Sequence, residues 1–301
     1  MRVFRIRKKS GGFRTIHAPS KSEKQEMRKL LPALTGLAVE LDENGVSHGF
    51  MPGRSAVTNA MSHVGDWEYT ISLDLEDFFD TVDAHHVYCL SAKHIKRFNE
   101  TIHGKGVFPP KQGLPTSPVI ANIAFSAMDS ALFPKGTVSY VYTRYADDLT
   151  FSVSCERDVQ YIMSWVPAYL AGHNWKVNAR KTRVQWAKAG RRVVTGVAVD
   201  QHGIHPTRSA KRKLRAAKHQ GNVAQAAGLE EWCKLRTPGS SRSLKKLIKN
   251  YQDAYLAVQS APSQWRLTVM MQAEMRLEVA ATRIGMNPSE VLKRAMEVAW
   301  D

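Results

Sequence analysis

The stretch RYADDLTFS, residues 144–152, sets two adjacent carboxylates, Asp147 and Asp148, between two runs rich in β-formers, VSYVYTRY and LTFSVS. Alone, such a pair reads as a hairpin turn, because aspartate favours turns by bonding its own backbone. A third acid adds a constraint. Asp74 closes the apolar pattern of WEYTISLDL and is followed by EDFFD, so a carboxylate stands at the end of a strand that reads as buried. An acid in that place is costly unless a cation meets it. If this strand lies beside the Asp147 hairpin, three carboxylates converge on one sheet edge and could bind two magnesium ions, hard cations that take carboxylate oxygens and substrate phosphates. Such a pair of ions clamps the attacking and leaving oxygens of a phosphoryl displacement, and the chemistry is then nucleotidyl transfer. No GxxxxGK[ST] loop is present, which excludes a P-loop enzyme.

The rest of the pattern is mixed. SPVIANIAFSAMDSALF has apolar residues at 119, 120, 123, 124, 127, 128, 131 and 132, the spacing of a helix face, with Ser117 and Pro118 where an N-cap and a first-turn proline belong. The hairpin VSYVYTRYADDLTFSVS, an amphipathic segment near 156–171 and a further strand pair in VQWAKAGRRVVTGVAVD follow. Antiparallel strands with helices on one face make an α+β layer. Residues 1–65 show only short β-like pieces, glycine turns and a basic opening, RIRKKSGGFRTIHAP. Beyond HPTRSAKRKL the pattern turns helical, through SLKKLIKNYQDAYLAVQ to a last helix opened by Asn287, Pro288 and Glu290. A domain boundary is expected near residue 205.

Charge narrows the partner. Across 301 residues, 43 Lys+Arg against 27 Asp+Glu leave a net +16, which favours a polyanion through phosphate contacts and counterion release. Cys89, Cys155 and Cys233 lie far apart without a CxxC pair, so they support neither a zinc site nor a disulfide framework and fit a reducing cytosol. No apolar run approaches the ~18 residues of a membrane span, and no signal-peptide core follows the basic N-terminus. The expectation is a soluble cytoplasmic protein that does not engage membranes.

At this point the residues carry a family resemblance. DLEDFF (74–79), QGLPTSPVIAN (112–122) and RYADDL (144–149), in that order, resemble the consecutive motifs of reverse transcriptases. VTNAMSHVG, with Asn59, Ala60 and His63 in an NAxxH pattern, and VVTGV, with Thr195, resemble the two signatures that set retron reverse transcriptases apart. The resemblance covers residues from about 6 to 200. It implies a right-handed polymerase fold: fingers over 1–65 with 90–115 inserted between palm segments, a palm mainly over 66–205, and a helical, basic thumb over 206–301.

It also implies roles. Asp74, Asp147 and Asp148 would be the metal ligands, and Phe79 the steric gate whose ring excludes a ribose 2'-hydroxyl, leaving Phe78, its neighbour on the opposite strand face, to the core. Gln112 and Gly113 would line the nucleotide pocket, the glycine allowing close backbone approach. Arg14 matches the fingers arginine that grips the triphosphate, with Lys9 as helper. Lys181 falls on the family's lysine behind the triphosphate, and VVTG near the primer grip. His63 is expected to support recognition of template RNA together with Asn59 and Thr195. The other histidines, His85 and His86 among them, show no metal spacing.

Residues 207–249 carry twelve Lys/Arg, Lys211, Arg212 and Lys213 among them, against only Glu230 and Glu231. A helical face of that composition suits backbone contact with folded RNA or an RNA-DNA duplex. The implied function is a retron-type reverse transcriptase in antiphage defence. It would use deoxynucleoside triphosphates and copy its own noncoding RNA into a small single-stranded DNA joined to RNA (msDNA), primed from a guanosine 2'-hydroxyl. No fused RNase H is expected after the thumb, so a host RNase H would remove the template, and a separate effector protein is expected as a partner. The alternatives are an intron or diversity-generating reverse transcriptase, and a non-catalytic RNA-binding scaffold.

Overall fold

In the computed structural model, which describes residues 1–8, 11–134, 139–235, 241–260, 266–267, 270–271, 273–274, 277–278 and 288–297, the chain opens with an antiparallel hairpin, Arg2–Arg7 (β1) against Phe13–Ala18 (β2). A helix over Lys21–Leu41 (α1) follows, where glycine turns and β-like pieces are expected from the sequence. Its start is fixed by Ser20 and Glu23 in a reciprocal capping box, and it buries Met27, Leu34, Leu37 and Ala38. A shorter helix, Ala56–Ser62 (α2), is capped in the same way by Ser55 and Thr58.

The strand Tyr69–Asp74 (β3) leads through the one-turn helix Phe78–Thr81 (α3) and the helices Ala84–Tyr88 (α4) and Ala92–Ile102 (α5) to the long helix Ser117–Leu132 (α6). Two expectations are corrected here. Phe78 and Phe79 belong to a helical turn, not to opposite faces of a strand, and Ser117 is already helical, with Thr116 before it as N-cap. Ser117 Oγ instead ties down the preceding loop by donating to Lys111 O (2.6 Å) and accepting from Lys111 N (2.9 Å).

Tyr140–Tyr145 (β4) and Asp148–Val153 (β5) form the central hairpin, and Glu156–Ala171 (α7) follows. The sheet order is β4-β5-β3-β6, with Arg183–Trp186 (β6) at one edge and all neighbours antiparallel. This corrects the strand pair expected in VQWAKAGRRVVTGVAVD: β6 joins β3, while Arg192–Val194 (β7) pairs with Val197–Asp200 (β8). Gln185 links the two by its side chain, donating to Val193 O (2.9 Å) and accepting from Val193 N (2.8 Å).

Strand alternation divides the sheet chemically. On one face Ile71, Leu73, Leu149, Phe151 and Val153 pack with Phe125 and Met128 of α6 and with Ile162, Val166 and Leu170 of α7. Each fully buried side chain of this kind contributes roughly 1.5–3 kcal/mol. The opposite face presents Thr70, Thr143 and Ser152, all buried, and it ends at Asp74 and Asp148.

The chain divides into the units Met1–Asp200 and Gln201–Asp301. The second opens with the strand Gly203–Pro206 (β9) and continues with helices Arg208–His219 (α8), Val223–Cys233 (α9), Ser241–Ser260 (α10) and Pro288–Glu297 (α11). Lys218 and Glu230 pair between α8 and α9. Tyr251, Ala254, Leu277, Val291 and Leu292 are buried together. Asn287 of the expected opening of α11 lies outside the described residues. No described helix is long and apolar enough to cross a membrane.

Candidate active site

Antiparallel pairing sets Asp74 of β3 directly opposite Asp148 of β5, on the same sheet face, with Asp147 in the adjoining turn. The backbone locks this convergence. Leu75 N donates to Asp147 O (2.9 Å), joining the end of β3 to the turn, and Ala146 adopts a left-handed φ of 57°. Surrounding protein and the charges of Asp147 and Asp74 push the Asp148 carboxyl up to about 6, although part of the residue stays exposed. Desolvation, followed by the Asp74 charge, raises Asp147 as well. Like charges crowded in this way need a cation.

Lys181 supplies one. Its Nζ lies 2.8 Å from Asp74 Oδ1 and 3.0 Å from Oδ2, and this bond raises its own pKa. The turn that carries it is hung on the same residue, since Asn178 N donates to Asp74 O (2.7 Å) and Lys181 N to Asn178 O (3.0 Å). Among the described residues no cluster of three or more His, Cys, Asp or Glu side chains stands arranged to hold a metal ion. The donor chemistry is nonetheless that of a hard divalent cation, for three carboxylates that repel one another are the oxygen ligands such an ion takes.

The residues that brace the turn escaped the sequence reading. Arg144, fully buried, reaches Asp129 with Nε (2.9 Å to Oδ1) and Nη2 (2.6 Å to Oδ2). Its Nη1 donates to Asn122 Oδ1 (2.8 Å) and Ala146 O (3.1 Å), and Nη2 to Ser47 Oγ (3.0 Å). Tyr142 donates to Asp129 Oδ1 (2.7 Å). The neighbouring segment is pinned too: His48 N donates to Arg144 O (2.7 Å), Asn122 Nδ2 donates to Gly49 O (2.9 Å), and a Cβ on Gly49 would lie 2.4 Å from Ala146 N. The available signal was Asn122 and Asp129, two polar residues seven apart in the most apolar helix pattern of the chain.

Around this centre, Phe78 is buried against Phe125 and Trp175, while Phe79 is half-buried and faces Phe50 at a ring distance of 6.4 Å. Arg14 is exposed on β2, near enough for its charge to favour ionised Asp147. Lys9 lies outside the described residues; Lys8 beside it bonds Asp77 (3.4 Å) ahead of α3. Gln112 accepts from His17 N through its carbonyl (2.8 Å) and donates from Nε2 to Asp80 (3.4 Å). Gly113, at φ 104°, does permit a close backbone approach, but the approaching atom is the carbonyl oxygen of His17, 2.4 Å from where a Cβ would stand. That close approach docks the β1–β2 hairpin against the loop that carries Gly113.

The structure brings the NAxxH and VTG signatures together. Asn59 Nδ2 donates to Thr195 Oγ1 (3.4 Å), and Thr195 Oγ1 donates to Ala56 O (3.0 Å). His63 shares hydrogen bonds with Ser152 Oγ (2.8 Å) and Thr143 Oγ1 (2.7 Å) on the polar sheet face. Arg192 completes the layer, donating to Thr70 Oγ1 (3.2 Å), Ser152 Oγ (3.3 Å), His63 O (3.1 Å) and Gly65 O (3.0 Å). Asn59 and His63 are wholly buried, so neither side chain is exposed for direct contact with a ligand. In the second unit, Lys211, Arg212 and Lys213 stand exposed on α8. His86 is buried, near Asp83 and the carbonyl of His173.

Residues 6–205 match the profile of the family described as reverse transcriptase (RNA-dependent DNA polymerase). The chain is 31% identical to the retron Mx65 reverse transcriptase of Myxococcus xanthus, the match covering 82% of this chain and 64% of that protein. It is 28% identical to the retron Ec86 reverse transcriptase of Escherichia coli, over 82% of this chain and 79% of that one. The chain thus spans just under two thirds of the Myxococcus protein's length. The solved structure of telomerase from Candida albicans with a fragment of telomeric RNA superposes at a TM-score of 0.52 and 12% identity, covering 98% of this chain and 62% of that one. The likeness is one of fold, an α+β polymerase architecture.

Proposed function

Because the chain belongs to the reverse transcriptase family, with retron reverse transcriptases among its relatives, we propose that it is an RNA-directed DNA polymerase, a nucleotidyltransferase that copies its own structured noncoding RNA. The product is a small single-stranded DNA joined to RNA (msDNA), primed from a guanosine 2'-hydroxyl, within a retron that defends against phage. The observation that carries the catalytic part is the register of Asp74 opposite Asp148 with Asp147 in the adjoining turn.

Those three carboxylates would hold two magnesium ions, which supply a clamp on the attacking and leaving oxygens and on the triphosphate. The protein's own groups do the rest. Arg14, with Lys9, grips the triphosphate from the β1–β2 hairpin, where a planar fork suits phosphate oxygens. Lys181, held at Asp74 by its ion pair, gives a proton to the leaving pyrophosphate. Phe79 stands beneath the incoming sugar and excludes a 2'-hydroxyl. Gln112 lines the nucleotide pocket, and Gly113 sets its wall by docking β2. Asn59, His63 and Thr195 shape the surface that meets the template, while Lys211, Arg212 and Lys213 read the phosphate backbone of the cognate RNA. Fingers, palm and thumb follow the division 1–65 with 90–115, 66–205 and 206–301. A host RNase H removes the copied template, and a separate effector protein is held in the assembly.

The test is to purify the protein from its host, strip the bound nucleic acid and digest it. One discrete species should lose different parts of its length to RNase and to DNase. A species wholly sensitive to one nuclease contradicts the joined product.

A further inference from the structure

Phe50 is a large aromatic residue half exposed (50%) between two buried neighbours, Gly49 and Met51, and it holds a left-handed φ of 61°. A bulky side chain keeps such backbone only where its surroundings impose it, and strain of this kind gathers at functional sites. The constraint is visible here. Gly49 is pressed against the Ala146 backbone and held by Asn122, and His48 is bonded to Arg144. These contacts also fix the turn that bears Asp147 and Asp148, so the backbone that carries the Phe50 ring is set relative to the carboxylates. Toward α3, the ring centre lies 6.4 Å from that of Phe79, with the planes tilted by 47°.

Resting on the polymerase reading, we infer that Phe50 is a stacking surface for a nucleobase of the pair being formed at the carboxylates. The ligand chemistry is a planar heteroaromatic base, presented either by the template or by the incoming nucleotide. Every base has a π-face, so stacking on an aromatic ring holds any of the four, which is what a template copier requires. Phe79 then meets the sugar and Phe50 the base. An exposed ring on backbone tied to the turn that bears the acids fits that division, whereas a packing role would have buried it.

The experiment compares the parent full-length chain with Phe50→Leu, Phe50→Ala and Phe50→Trp in single-nucleotide incorporation on a primed RNA template, with Phe79→Val as the contrasting variant. If the incoming base stacks, the Leu and Ala variants raise KM for the deoxynucleotide about tenfold, and the Trp variant keeps the parent value. A template carrying 2-aminopurine at the templating position reads the other source by binding alone. If the template base stacks, its fluorescence is quenched on the parent and brighter on Phe50→Leu. Selectivity between ribo- and deoxynucleotides stays with Phe79: Phe79→Val admits ribonucleotides, and the Phe50 variants leave the ratio unchanged. Parent-like KM together with parent-like fluorescence in Phe50→Leu and Phe50→Ala overturns the inference. So does a Phe50 variant that admits ribonucleotides as Phe79→Val does. If the parent incorporates nothing, the polymerase reading fails, and the fluorescence comparison still decides the stacking.

Discussion

His63 carries no charge in the folded chain, because burial first and the Arg192 charge second hold its imidazole down to about 3. In the unfolded chain a histidine titrates near ~6.5. Between those values the unfolded state binds a proton that the folded state refuses, so its contribution is whole above ~6.5 and is lost as pH falls toward 3. The loss amounts to about 1.4 kcal/mol per pH unit. Denaturant unfolding of the parent and of His63→Gln between pH 6.5 and 4 should therefore differ in slope by about that amount, the parent being the steeper. Equal slopes would mean that water reaches the ring. NAxxH made this residue visible in the sequence, but not its place. Thr143 and Ser152, its partners, read there as ordinary strand residues, and only the sheet register turns their hydroxyls toward one imidazole.

The β4–β5 turn depends on a segment about a hundred residues earlier in the chain, since Gly49 touches the Ala146 backbone where no side chain fits. Gly49→Ala forces backbone against backbone, and overpacking of this kind costs roughly 1–3 kcal/mol. Thermal unfolding should fall by about 4–8 °C for ~2 kcal/mol in a unit of this size. DNA synthesis measured well below that transition should fall further than the reduced stability explains, because the carboxylates ride on the displaced turn. An unchanged melting temperature with full activity would mean that Gly49 braces nothing. Elements with one strong period were legible in the sequence: β3, the β4–β5 hairpin, α6 and α7. The helix α1 was not, because Pro32 interrupts a pattern whose start only the Ser20–Glu23 box marks. Strand partners are not encoded locally, so β6 was assigned to the wrong neighbour. The Arg144–Asp129 pair was hidden for a related reason: a buried ion pair is two unremarkable polar residues until the fold joins them.

Across the whole molecule the net charge is +16, and the twelve Lys/Arg of residues 207–249, against Glu230 and Glu231, supply +10 of it; three consecutive basic residues of α8 stand exposed in that stretch. Reversing Lys211, Arg212 and Lys213 to Glu should weaken binding of the cognate RNA and flatten the slope of log affinity against log salt by roughly 0.7–0.9 for each phosphate no longer neutralised. A triple variant that binds like the parent across salt would make that face a solvated surface. Everything else rests on what the three carboxylates are for. If Asp147 and Asp148 serve the turn, Asn in their place should lower stability and leave DNA synthesis near the parent level. If they serve cations, removing two mutually repelling charges should leave the melting temperature unchanged or higher. RNA binding should then stay within about threefold while synthesis falls at least ~100-fold. The deciding measurement is therefore primed RNA-templated DNA synthesis by Asp147→Asn/Asp148→Asn, made on the same sample as its thermal unfolding. Carboxylates that hold cations predict abolished synthesis with a parent-like or raised transition; retained synthesis, or a collapsed transition, contradicts that role.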